Sequence, residues 1–269
     1  MSSSHERNDR KKGFRPRLEK AGKPRPQRVS GPDGKDWLWG VHPVEAALGN
    51  PARPAPKRIL AAPDRAATLS RRFPQLRGIE SVDAHEIARH LPQGASHQGL
   101  ALRIDPPEPL SVDEIGADAG GVLLMLDQVT DPQNVGAIFR SAAAFGARGV
   151  ILQDRHAPAL SGALAKASAG AIDKIPHASA VNLSRALETL SELGWKIVGM
   201  DGASDVALAD ALDGSPTVIV MGSEGEGLRR LVAEHCDVLA KIPMPGGFES
   251  LNVSNAAAIA LYEASRIRA

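Results

Sequence analysis

The apolar and polar positions fall into two successive runs of short strands alternating with helices. In the first run, Trp37–Trp39, Lys57–Ala61, Ile79–Val82 and His97–Ile104 read as strands. Val44–Leu48, Asp64–Phe73 and Asp83–His90 read as helices, with Pro43 at an early helical position and Asp64 as a cap. In the second run, Val122–Leu126 is an unbroken apolar stretch of the buried-strand kind. Further strands are expected at Gly149–Leu152, Ile172–Pro176, Trp195–Met200, Thr217–Met221 and Val238–Ile242. Helices are expected over Asn134–Phe145, Ser161–Ala169, Leu183–Leu193 and Leu228–His235. An Ala-rich run to Ala269 has helical spacing at Ile259, Leu261, Tyr262 and Ile267. The alternation predicts two α/β units, the second a mainly parallel sheet with helices on both faces. Pro106, Pro107 and Pro109 mark residues 106–120 as a linker between units 36–105 and 121–269.

Charge changes this picture at one end. Residues 1–30 carry ten Lys and Arg against three Asp and Glu, in a chain whose formal net charge is +1. Residues 1–35 lack the apolar side chains to offset ordering entropy and read as a disordered basic arm on a mildly acidic body. The arm suits a polyanionic partner, or is simply a solvated tail. Cys236 is the only cysteine, so no disulfide within the chain and no thiolate metal cluster is expected. The histidines have no metal-ligand spacing. Trp37 and Trp39 suit base stacking or, more readily, packing. No apolar run is long enough to span a membrane and no signal-peptide core is seen, so a cytoplasmic protein is expected.

Candidate chemistry gathers in three stretches. In KIPMPGGFESLNVSNAAAIA, Lys241–Ala260, a short strand breaks into a Pro- and Gly-rich loop and then a helix, an arrangement that holds polar groups at a sheet edge. Asn252 or Ser254 is placed to cap that helix. GSEGEG after the strand VIVM is neither a dinucleotide fingerprint nor a phosphate-binding loop. It offers backbone close to a ligand, plus Glu224, or else a tight structural turn. Near Pro132 a third stretch opens a helix carrying Asn134 and Arg140, six residues apart and expected near one face, or else a cap and a salt-bridge partner. Gly136 leaves room for another backbone or a ligand.

Together LLMLDQVTDPQNVGAIFRSAAAF, TVIVMGSEGEGL and IPMPGGFESLNVSNAAA resemble the three motifs of the SpoU-type, or TrmH-family, methyltransferases. The resemblance implies S-adenosylmethionine-dependent methylation of RNA ribose 2′-hydroxyls, with no metal. It makes Arg140 the catalytic arginine and Asn134, Glu224, Ser250 and Asn252 active-site residues. Gly222, Ile242 and Leu251 match cofactor contacts, and Met244 is a candidate apolar wall. The implied fold is of the SPOUT type, a deep trefoil knot in the catalytic domain, working as a homodimer. WGVHPVEAAL and ASHQGLALRI resemble the ends of the ribosomal-protein-like RNA-binding domain of the branch that acts on a 23S rRNA guanosine. Another rRNA or tRNA nucleotide, or a catalytically silent RNA-binding relative, are the alternatives. Phe248, Glu249 and Asn255 depart from the usual motif. A guanidinium stays protonated, so phosphate holding and alkoxide stabilisation suit Arg140 better than proton abstraction.

Overall fold

A computed structural model describes residues 36–247 and 250–268; the basic arm and Phe248 and Glu249 lie outside the described residues. The first layer comprises β1 (Trp37–Trp39), α1 (Val41–Gly49), β2 (Arg58–Ala61), α2 (Pro63–Arg72), β3 (Ile79–Ser81), α3 (Ala84–Ala88) and β4 (Leu100–Arg103). Its sheet runs β1-β4-β2-β3, with β4 antiparallel to β1 and β2, and β2 parallel to β3. Trp37 and Trp39 are buried, and Trp37 stacks on His90 with centroids 5.2 Å apart, so both indoles pack. Asp64 does not cap α2: Ala62 holds the cap position and Pro63 follows it. Asp64 sits in the first turn, where its charge complements the positive helix end. The last strand begins at Leu100 rather than His97, because Gln98 and Gly99 adopt φ of 55° and 78° and turn the chain.

Residues 106–120 are more than a connector. Leu110 makes a parallel bridge to Ala178. A short helix follows, α4 (Val112–Gly116), closed by a capping box between Ser111 and Glu114. Ile115 is buried, and the Gly116 carbonyl accepts the Trp195 indole N–H at 2.8 Å. The proline-rich stretch is shorter than the expected linker because SVDE starts a helix within it.

The second layer continues through β5 (Val122–Leu126), α5 (Pro132–Ala144), β6 (Gly149–Gln153), α6 (Gly162–Ala167), β7 (His177–Ala180), α7 (Leu183–Glu192) and β8 (Lys196–Met200). It closes with α8 (Leu208–Ala211), β9 (Thr217–Met221), α9 (Arg230–Ala233), β10 (Val238–Ala240) and α10 (Val253–Arg268). All pairings in its sheet are parallel, in the order β10-β8-β9-β5-β6-β7. The strand expected at Ile172–Pro176 is a 3-10 turn, Ala171–Asp173, and the strand starts at His177. Ala171 and Ile172 are apolar because the turn itself is buried. The helix expected over Leu228–His235 is confined to Arg230–Ala233.

Alternate residues of the central strands feed two cores. Leu123, Met125, Val218 and Val220 pack with Ile115 of α4, Leu187 of α7 and Val232 of α9. Leu124, Leu126, Ile219 and Met221 pack with Phe139 of α5, Leu208 of α8 and Ala257 of α10. That second core also takes in Leu38, Val44, Leu100 and Leu102 from the first sheet. Both sheets thus lie in one compact unit. Strands β5, β6 and β7 step one way across the sheet, and β9, β8 and β10 lie on the other side of β5. The carboxyl edge at such a reversal is where parallel sheets leave a crevice for ligands.

Candidate active site

The loops leaving β8, β9 and β10 frame a cleft of about 540 Å³ at that carboxyl edge. Met200, Met221, Ile242, Met244 and Leu251 supply apolar wall. Gly222, Ser223, Gly225 and Gly227 bring backbone to the lining, and Asp201, Glu224, Glu226 and Lys241 bring charge. The wall after β8 is fixed by backbone pairing: Asp201 N–H donates to Ala240, and Lys241 N–H to Val206. Gly222 is demanded by the loop itself. A Cβ there would lie 2.2 Å from the Gly227 carbonyl carbon, where Ser223 and Gly227 exchange backbone hydrogen bonds of 3.1 Å. The loop thus folds back onto its own entry and presents Glu224 near its tip.

Glu224 Oε1 is the hub of the site. It accepts from Asn252 Nδ2 at 2.7 Å, Asn134 Nδ2 at 3.1 Å and the Val253 N–H at 3.2 Å. Asn252 Nδ2 also donates to Asn134 Oδ1 at 2.9 Å. On its other side Asn252 Oδ1 caps α10, accepting from the N–H groups of Ser254 and Asn255. One carboxylate thereby joins the β9 loop, the start of α5 and the N-terminus of α10, whose dipole favours negative charge. Asp131, not Asn134, caps α5, accepting from the Gln133 and Asn134 N–H groups.

The far arm of the β9 loop is anchored by Asp127, which is fully buried at the end of β5. Its carboxylate accepts the Arg229 N–H at 2.9 Å and Arg229 Nε at 2.7 Å. Nearby, burial and then Asp237 and Asp127 push the Cys236 thiol up to about 12, so it stays protonated and is no nucleophile.

The structure therefore brings Asn134, Glu224 and Asn252 into one hydrogen-bonded cluster. Gly222, Ile242, Met244, Ser250 and Leu251 line the adjoining cleft. Arg140 stands apart: it is exposed on α5, makes no hydrogen bond among the described residues and does not line the cleft. Six helical residues turn the chain through about 600°, which leaves it about 120° around the helix from Asn134 rather than on one face. Gly136 faces protein: a Cβ there would lie 2.6 Å from the Leu164 carbonyl oxygen and from Ala167 Cβ of α6. Sequence reasoning missed Met200, Asp201, Ala203 and Lys241 as cleft lining and Asp127 as the loop anchor. The strand-then-turn signal KIVGMDGAS marks the first of these. No group of three or more His, Cys, Asp or Glu is placed to hold a metal among the described residues. No described helix is long and apolar enough to cross a membrane.

Fold and site define an α/β protein with a small-molecule cleft at the carboxyl edge of a parallel sheet. Residues 121–262 match the SpoU rRNA methylase family. An uncharacterized tRNA/rRNA methyltransferase of Mycolicibacterium gilvum is 38% identical over 262 residues, 94% of this chain and 83% of that protein. The chain belongs to the SpoU rRNA methylase family. Among solved structures, it is similar to the SpoU methyltransferase AviRb of Streptomyces viridochromogenes in complex with AdoMet. That likeness has a TM-score of 0.73 and 27% identity, over 86% of this chain and 89% of that one. The AdoMet-bound rRNA methyltransferase of Sinorhizobium meliloti has a TM-score of 0.74 and 27% identity, over 86% of each chain.

Proposed function

We propose that this chain transfers a methyl group from S-adenosylmethionine to a ribose 2′-hydroxyl of RNA, on a guanosine of 23S rRNA. The observation that carries this reading is the Asn134–Glu224–Asn252 cluster at the rim of a cofactor-sized cleft. The cleft suits the cofactor in size, since small-molecule pockets run about 300–1,000 Å³. Its chemistry suits it as well: apolar walls from Met221, Ile242 and Leu251, exposed backbone at Gly222, and carboxylates that favour a cation. When bound, S-adenosylmethionine supplies a methyl on a sulfonium sulfur, which leaves without acid assistance.

The chain's own task is alignment. Gly222, Ile242, Met244 and Leu251 hold the donor, and Ser250 and Asn252 place the ribose oxygen in line with the methyl carbon. Arg140 serves as a phosphate clamp and as a charge that stabilises the developing alkoxide. The first sheet, residues 36–105, and the basic arm gather RNA, a role supported by the arm's surplus of seven positive charges. A homodimer through the catalytic unit, a trefoil-knotted path for the segment after β10, and a cytoplasmic location belong to the same reading. Exposed Ile259, Tyr262 and Ile267 on α10, which packs on α5, support the dimer.

Ribose-methylation mapping of rRNA and tRNA from cells lacking the protein tests this. One missing 2′-O-methyl mark on a 23S guanosine is expected, restored by the wild-type chain and not by Arg140→Ala. A missing mark on another RNA corrects the substrate, and no missing mark in either pool overturns the reading.

A further inference from the structure

A second, shallow indentation opens at the same carboxyl edge, outside the cofactor cleft, between the loops that follow β5 and β6. Buried Leu126, Val129 and Leu152 give it an apolar floor, and Gln128, Gln153 and His156 give it a polar rim. Gln128 Nε2 donates to Gln153 Oε1 at 3.0 Å. That bond leaves Gln128 Oε1 and the Gln153 amide N–H groups without a partner among the described residues. His156 is exposed and makes no hydrogen bond among them. Gln128 and His156 are held at φ of 59° and 75°, a left-handed conformation that only glycine adopts freely. Strain of this kind persists where the surroundings impose it, and it gathers at binding sites. Polar groups elsewhere on the surface close on one another instead, as Arg58 does with Glu80 and Lys196 with Asp213.

Strand register places this amide pair relative to the cofactor cleft. Met221 of β9 pairs with Leu126 of β5, and Leu126 pairs with Leu152 of β6. Gly222 and Gln153 are the next residues along the two outer strands, so two strand spacings, about 10 Å, separate the cleft wall from Gln153. That is comparable to the reach from a ribose 2′-oxygen to the far edge of its own base. We infer that the Gln128–Gln153 amide pair reads the base of the nucleotide that is methylated. The inference rests on the methyl-transfer reading above and adds the residues that select its target. A guanine edge fits the free groups: its N1–H donates to Gln128 Oε1, and its O6 accepts from Gln153 Nε2. The indentation encloses only about 10 Å³, room for one water, so the base lies across its mouth with the His156 imidazole against its face. No bond forms or breaks at this pair; it decides which nucleoside sets its 2′-oxygen before the methyl group.

Gln153→Met keeps the length of the side chain and removes the donor to O6. It alters neither the cofactor cleft lining nor the Asn134–Glu224–Asn252 cluster. Methyl transfer is measured as kcat/KM on a synthetic 23S rRNA fragment carrying the mapped site, with guanosine or 2-aminopurine riboside at the target position. 2-Aminopurine keeps the ring and the 2-amino group but lacks O6 and the N1 proton. Cofactor affinity is measured by calorimetry and folding by thermal melting. The wild-type chain is expected to prefer guanosine by about 10-fold or more. Gln153→Met is expected to lose about 10-fold or more on guanosine, with its preference shrunk to within about threefold and cofactor affinity and melting point unchanged. A variant within about threefold of wild type on guanosine overturns the inference, as does a wild-type protein indifferent to the two bases. A slower variant whose preference is intact also overturns it, and so does a loss that comes with weaker cofactor binding or a lower melting point; both make the amide bond structural. A wild-type protein that binds no cofactor, or methylates no guanosine, defeats the underlying reading instead, and the inference with it.

Discussion

At Gly222 one added carbon decides the shape of the site. The Cβ of an alanine would meet the carbonyl carbon of Gly227 at 2.2 Å, a backbone atom that cannot swing aside. Gly222→Ala is therefore expected to open the β9 loop, costing about 1–3 kcal/mol of stability. Glu224 would be released from Asn134 and Asn252, and cofactor affinity would fall; urea unfolding and calorimetry read the two effects. An alanine that leaves both unchanged would refute the loop-closure role. The glycine was visible in GSEGEG, but what it faces was not, because composition cannot distinguish close approach to a ligand from close approach to the chain itself. Asn252 was more legible, since a polar residue ahead of an Ala-rich run is a cap by its chemistry. Arg140 was less so: its spacing of six from Asn134 suggested a shared face, while helical phase turns it about 120° away and outside the cleft lining.

Among elements, strong local signals came through and buried context did not. Strands β5 and β9 read directly from their apolar runs because both faces of a parallel strand are covered. β7 was displaced by several residues, since the apolar Ala171 and Ile172 belong to a buried turn and the strand that follows opens on His177. That histidine lies only 6% exposed beside Phe139, whose ring centroid is 6.4 Å away. Burial and then Arg53 lower its pKa from 6.5 to about 4, while Asp173 opposes the shift. Between those values the unfolded chain binds a proton that the folded chain refuses. His177 therefore costs nothing above about pH 6.5 and destabilises the fold progressively as pH falls towards about 4. Across the window this amounts to about 3 kcal/mol, at ~1.4 kcal/mol per pH unit. In urea unfolding, the wild-type chain is expected to lose about 2 kcal/mol more between pH 7 and pH 5 than His177→Asn does. Equal losses would show that the imidazole is not the acid-sensitive group.

Across the whole molecule, the sequence suggested two units joined by a proline-stiffened linker, and the two sheets are instead packed against a shared core. Their seam holds an ion pair: Arg53, after α1, meets Asp173 at 2.6 Å, with both side chains 1% exposed. Asn50 Nδ2 adds a hydrogen bond to Asp173 at 3.1 Å, and Arg53 Nη1 donates to the Asp105 carbonyl at 2.6 Å. Lys166 of α6 reaches across to Gln98 at 3.1 Å. None of this was legible, because the partners lie 120 residues apart and each alone resembles an ordinary surface charge. A buried pair stabilises little by itself, yet breaking it leaves one charge stranded in low dielectric. Arg53→Met is therefore expected to cost about 3–5 kcal/mol, whereas adding Asp173→Leu should recover much of that loss. In a Trp195→Phe background, which leaves Trp37 and Trp39 as the only tryptophans, chemical unfolding followed by both far-ultraviolet dichroism and tryptophan fluorescence checks the same point. If the seam couples the sheets, both signals move together in that background with Arg53 intact, and adding Arg53→Met loosens the first sheet before the second. A single variant as stable as wild type would make the seam incidental and return the first sheet to an independent domain. Under the proposed function the coupling matters, because a first sheet seated on α6 and the 3-10 turn would hold any RNA it binds at a fixed distance from the cleft, which a flexible tether cannot do.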